Sequence, residues 1–226
     1  MGVSIFGTTG ALPRGRHQLS PEQVAASQRL RVMGALVELM AEAGYASATI
    51  GDIANRASVS RSAFYKHFAD KQACLFAAYE TFANVLLSRM ASRIEPDAGW
   101  YDLVGAIATE YLQALQDDPV AARAFLLEMD AAGDEAREKQ HATFEQFASF
   151  LKDRHDDFRA ADPTLGPLPS STLLGLVLAT RALACERLRE GDTATLTDLA
   201  PEILYWITAT IEGAAAARER FGDPGR

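Results

Sequence analysis

The chain has 226 residues, 48% of them hydrophobic and 23% charged, enough to bury a core of its own. That balance excludes a disordered low-complexity chain, and no apolar run is long enough for a membrane-spanning helix. Two distant cysteines, Cys74 and Cys185, exclude a disulfide framework and a thiolate zinc site, and a formal net charge of −8 excludes a uniformly basic nucleic-acid coat.

Residues 1–19 are rich in Gly, Thr and Pro without a period, and are expected to form a disordered arm. Arg14, Arg16 and His17 close the arm with positive charge suited to a minor groove. The first residues lack the basic and apolar blocks of a signal peptide, and Phe6 stands where myristoylation requires Ser or Thr. A cytoplasmic protein is expected, as reduced cysteines also suggest. Ser20-Pro21-Glu22-Gln23 then starts a helix, with a Ser cap, Pro at the first turn and Gln placed for a capping box. Leu30, Met33, Val37 and Met40 follow at helical spacing, and Gly44 ends the run.

The next stretch, residues 49–75, carries the chemistry. Thr49 with Asp52 reads as a capping box over a short helix, with Ile50, Ile53, Ala54 and Ala57 on its apolar face. Ser58-Val59 makes a turn. Ser60 caps a second short helix of Arg61, Ser62, Ala63, Phe64, Tyr65, Lys66 and His67, and Asp70 caps a third that opens with Lys71. Two short helices joined by a tight turn form a helix-turn-helix, whose second helix presents small and basic residues to the major groove. Arg61 has the fork geometry for guanine. Tyr65, Lys66 and His67 are placed for phosphates or bases. Lys71 adds charge at a helix N-terminus that can hold a phosphate. Candidate DNA contacts are therefore Thr49, Ser60, Arg61, Ser62, Ala63, Tyr65, Lys66, His67 and Lys71. Charge is distributed to match: eight Lys/Arg face five Asp/Glu through Leu75, and fourteen face twenty-five after it.

The run Ile53-Ala54-x-x-Ala57-x-Val59-Ser60-x-x-x-Phe64-Tyr65-x-His67-Phe68-x-x-Lys71-x-x-x-Leu75 resembles the DNA-binding domain of the TetR family of bacterial regulators, over about residues 28–76. One position departs from the pattern: the usual turn glycine is Ser58. A positive φ there would cost a side-chain-bearing residue on the order of 1 kcal/mol.

Further helices are expected from Asp70 to about Ile94, then at about 100–117, 119–131, 134–158, 173–188 and 196–220. Pro-rich residues 162–169 form the longest loop. No strand-like alternation occurs. The expected fold is all-α with about nine helices: an arm over 1–19, a helix-turn-helix domain over 20–70, and a helical ligand-binding and dimerisation domain over 71–226. The last two helices, about 170–190 and 196–220, are apolar nearly all round and must be buried on more than one side. The resemblance implies that they pair with their copies in a homodimer. It also implies an apolar cavity and a small-molecule effector. Candidate lining residues are Phe82, Leu86, Tyr111, Phe125, Met129, Phe144, Phe147, Phe150 and Leu178, with Glu110, Glu128 and Arg181 as polar groups near a headgroup.

No phosphate loop, metalloprotease motif or nucleophile elbow appears, and the four histidines are scattered. His155 among Asp153, Asp156 and Asp157 reads as a solvated helix end rather than a metal site. No cofactor and no metal are expected. The function indicated is a ligand-responsive DNA-binding transcriptional regulator: a homodimeric repressor of a palindromic operator, released by a small apolar or amphipathic ligand. The alternative is an all-helical enzyme, or a carrier of hydrophobic ligands that does not bind DNA.

Overall fold

The computed structural model describes residues 4–7, 20–95, 98–162, 165–213, 216 and 219. Nine α-helices and no strand occur among them: α1 (Pro21–Ala43), α2 (Ile50–Arg56), α3 (Arg61–His67), α4 (Lys71–Ala91), α5 (Trp100–Asp117), α6 (Pro119–Leu127), α7 (Asp134–Ala161), α8 (Ser170–Glu190) and α9 (Ala200–Glu212). The chain divides into two compact units. The first holds Met1–Val85 and Asp117–Arg137, the second Leu86–Gln116 and Glu138–Arg226.

Local chemistry sets the helix starts of the first unit. Ser20 and Gln23 form a complete capping box on α1, with Pro21 in the first turn, and Thr49 and Asp52 do the same for α2. Ser60 caps α3 through Ala63 N–H, and Asp70 accepts from Ala73 N–H at 2.7 Å to open α4. α1 packs on α2, α3 and α6. Val32, Leu36 and Met40 of α1 are buried with Ile53 and Ala54 of α2, Phe64 of α3 and Leu75 of α4.

In the second unit, Glu110 of α5 is 5% exposed and accepts from Arg89 Nε at 2.6 Å and Arg93 Nε at 2.8 Å. Gln116 Oε1 accepts from both the N–H and the hydroxyl of Thr197, each at 3.1 Å, tying α5 to the turn before α9.

Several expectations are corrected. The helix expected over 119–131 is α6 followed, after Glu128, by a 3₁₀ turn at Met129–Ala132. The helix expected over 196–220 is a 3₁₀ segment, Thr193–Leu199, followed by α9. Pro201 explains the break, because it has no N–H for a preceding turn and fits only near a helix start. Gly213, at φ +95°, ends α9, and most of the remainder expected as helix lies outside the described residues. α4 stops at Ala91, short of Ile94. Within the arm expected to be disordered, residues 4–7 are attached: Phe6 is 4% exposed. Arg14, Arg16 and His17 lie outside the described residues. His155 is not solvated. It is fully buried, its ring 4.9 Å from that of Trp100 in an edge-to-face arrangement.

Candidate nucleic-acid interface

The turn between α2 and α3 fixes the geometry of the site. Ser58 N–H donates to the Asn55 carbonyl at 3.1 Å and Val59 N–H to the Ala54 carbonyl at 2.9 Å. To close this turn Ser58 adopts φ +53°, the one positive φ at a residue other than glycine among those described. α3 then spends one side on the core. Phe64 is fully buried and its ring lies 5.8 Å from that of Phe68. The opposite side is a stripe of exposed residues, Arg61, Ser62, Tyr65 and Lys66, at the one-and-four spacing of a helix face. Tyr65 is 56% exposed, a large share for an aromatic residue. Thr49 and Ser60 are exposed caps, and Ala63 is half-buried at the edge of the stripe.

Arg61 lies back over α2: a Cβ built on Gly51 would stand 2.5 Å from Arg61 Nη2. The bare backbone of Gly51 gives the guanidinium room. The Asp52 carboxyl is held below its ordinary range, first by Thr49 hydrogen bonds and more weakly by the Arg61 charge.

Two of the expected contacts have other partners. His67 is half-buried, its Nε2 3.4 Å from Gln28 Oε1, and burial followed by the Arg29 and Lys66 charges pushes its pKa down. Lys71 donates from Nζ to the carbonyls of Tyr45 and Ala48, both at 2.9 Å, and sits 4.0 Å from the centre of the Tyr45 ring. The ammonium thus closes the loop between α1 and α2 onto the start of α4, and burial lowers its pKa.

Other cations in this domain are also engaged. Arg31 donates to the Ala57 carbonyl at 2.9 Å, Arg56 pairs with Glu42 at 2.6 Å, and Arg29 stacks 4.3 Å over Phe68. Arg61 and Lys66 are the cations of the exposed α3 stripe.

The candidate effector residues fall in both units. Phe82, Phe125 and Met129 are buried in the first. The second contains Leu86, Tyr111, Phe144, Phe147, Phe150 and Leu178, of which Phe150 is 38% and Leu178 36% exposed. Arg181 lies 5.5 Å over the Phe144 ring and donates to Gln140 at 3.2 Å. Glu110 is committed to its two arginines. The second unit also holds an open cleft of about 830 Å³, lined by Trp100 and Tyr101 of α5, Phe158 of α7, Leu165 of the loop before α8 and Leu204 of α9, among others. None of the candidate effector residues lines it. Sequence reasoning missed this cleft because its walls meet only after folding, and Trp100 and Phe158 lie in different helices.

Comparison with known proteins agrees with this geometry. Residues 32–78 match the family model described as bacterial regulatory proteins, tetR family. A curated relative, the uncharacterized HTH-type transcriptional regulator YerO of Bacillus subtilis, is 35% identical over 69 residues, which is 30% of this chain and 24% of that protein. The alignment therefore spans about a quarter of the relative's length. Among solved structures, the fatty acid degradation regulator FadR from Bacillus halodurans superposes with a TM-score of 0.73 at 16% identity, covering 84% of this chain and 96% of that one. FadR from Bacillus subtilis, in complex with stearoyl-CoA, gives 0.71 at 18% identity over 80% and 97%. A putative TetR-family regulator from Syntrophomonas wolfei gives 0.69 at 16% identity over 83% and 96%. The helix-turn-helix segment, residues 32–78, thus matches the tetR family of bacterial regulatory proteins in sequence, and the fold along most of the chain is similar to that of solved regulators of that family.

Proposed function

We propose that the protein is a DNA-binding transcriptional regulator that acts as a homodimer. Each subunit places the Arg61, Ser62, Tyr65 and Lys66 stripe of α3 in a major groove. The stripe carries the reading. A seven-residue helix commits Phe64 inward and leaves two cations and an aromatic hydroxyl exposed, arranged for phosphates and base edges. One such helix makes few contacts. Two, about 34–36 Å apart, read a palindrome in successive grooves. The exposed apolar residues Leu178 of α8 and Trp206 of α9, each 36% exposed, support pairing through these helices.

The protein is a repressor released by a small apolar or amphipathic effector. One structural neighbour was solved with stearoyl-CoA, which supports the ligand class, and the cleft beside Trp100 has the volume of a small-molecule site. α4 contains residues of both units and is the element through which the effector acts on α3. The match of residues 32–78 to bacterial regulatory proteins supports a regulator rather than an enzyme.

Selection of bound duplexes from a random library tests this reading. The expected product is a palindrome whose half-site centres are about one helical turn apart. Arg61→Ala should weaken its binding by about 1–3 kcal/mol and relax preference at one base pair per half-site. No enrichment by the wild-type protein contradicts the proposal.

A further inference from the structure

A short stretch ahead of α1 is anchored on α6. Residues 4–7 close a tight turn in which Gly7 N–H donates to the Ser4 carbonyl at 2.9 Å and Gly7 takes φ +70°. Ile5 N–H donates to Asp118 Oδ2 at 2.8 Å. The other oxygen of that carboxylate, Oδ1, accepts from Ala121 N–H at 3.0 Å and caps α6. Asp118 is 5% exposed; its bond with Ala121 N–H is buried and its bond with Ile5 N–H partly buried. Phe6 lies 6.3 Å from the fully buried ring of Phe125 on α6. Phe125 in turn meets Phe82 at 4.8 Å and Tyr79 at 5.8 Å, both on α4. α6 also packs on α1. Four residues thus hold the cap of α6 and its central aromatic, inside the unit that carries α2 and α3.

We propose that residues 4–7 are an intramolecular strap: they fix α6 against α4 and α1, and their attachment favours the arrangement of this unit that binds the operator. The second clause rests on the DNA-binding reading above. The strap is reversible by its own energetics. It gains the burial of one aromatic ring and one hydrogen bond to a charged acceptor. It loses the backbone freedom of four residues, one of them a glycine. These quantities are of the same order, so the strap is poised between attached and released, as low-stability elements that take part in switching are. Release exposes Phe125 and leaves one oxygen of Asp118 to water. It thereby loosens the helix on which α1 rests, and the operator-binding arrangement loses population.

The test uses the full chain and two variants. Phe6→Ala removes the anchor ring. Ile5→Pro removes the N–H bound to Asp118. Amide exchange without DNA reads attachment, and titration with the selected duplex reads coupling. Both variants are expected to speed exchange across residues 121–127 by about threefold or more. Both should weaken operator binding about three- to tenfold. A synthetic peptide of residues 2–8, added in millimolar excess to Phe6→Ala, should restore both properties, while the same peptide with Ala in place of its Phe should not. Unchanged exchange shows that the strap is not attached. Faster exchange at wild-type operator affinity shows attachment without coupling. Either result overturns the proposal. A wild-type protein that binds no duplex would instead remove the DNA-binding reading, and the exchange arm would still report on attachment.

Discussion

Ser58 carries a measurable strain. Its φ of +53° places a Cβ where L-residues pay roughly 1–2 kcal/mol, while a glycine there pays about 0.5–1 kcal/mol in unfolded-chain entropy. Ser58→Gly should therefore stabilise the protein by about 0.5–1 kcal/mol, read as a higher denaturant midpoint at unchanged slope. A lower midpoint would show that the hydroxyl contributes more than the backbone loses. His155 makes a second residue-scale prediction. Burial first, with the Lys152 and Arg159 charges, lowers its pKa, and Asp156 opposes them, with Oδ1 3.9 Å from Nδ1. Among the described residues neither ring nitrogen meets a partner at hydrogen-bond distance. A histidine held neutral in the fold binds fewer protons than in the unfolded chain. Its stabilising contribution is complete above the unfolded pKa of about 6.5 and is lost as pH falls from there toward the lowered folded value. Unfolding free energy should fall as pH drops below about 6.5, and His155→Phe should remove part of that fall. Identical pH profiles for the two proteins would contradict the assignment.

Among the elements, what was legible in the sequence and what was not divides along local and non-local chemistry. Ser20, Thr49, Ser60 and Asp70 cap their helices as the residue spacing predicts, because each cap is made within three residues of its own position. The all-α fold followed from helical spacing and the absence of alternation. Lys71 shows the limit. Its place at the start of α4 pointed to a phosphate, yet its ammonium is directed to the carbonyls of Tyr45 and Ala48, more than twenty residues away. Phe6 was unreadable for the same reason, since its partner Phe125 lies beyond five helices. The missed Pro201 break was local and legible. The geometry of Lys71 changes what its removal should do. Lys71→Met keeps a side chain of similar length but loses two charge-assisted hydrogen bonds and the ammonium over the Tyr45 ring, and should cost about 1–3 kcal/mol of stability. The salt dependence of duplex binding by the folded variant should be unchanged. A slope reduced by about one unit per subunit would show that Lys71 also meets a phosphate.

For the whole molecule, α8 and α9 carry the pairing proposed above. Introducing charge at the exposed apolar positions, as Leu178→Glu with Trp206→Glu, should shift the protein from dimer to monomer in sedimentation without unfolding the subunit, because each side chain is already about a third exposed. A variant that remains dimeric would place the interface elsewhere. The central claim, that the exposed stripe of α3 meets DNA, is tested most directly by amide exchange with and without the selected duplex. The account predicts slower exchange across α2, the Ser58 turn and α3 when duplex is present. This protection should weaken as salt rises, as expected when phosphate contacts release counterions. Duplex that binds without protecting α3, or that protects only the second unit, would contradict the account.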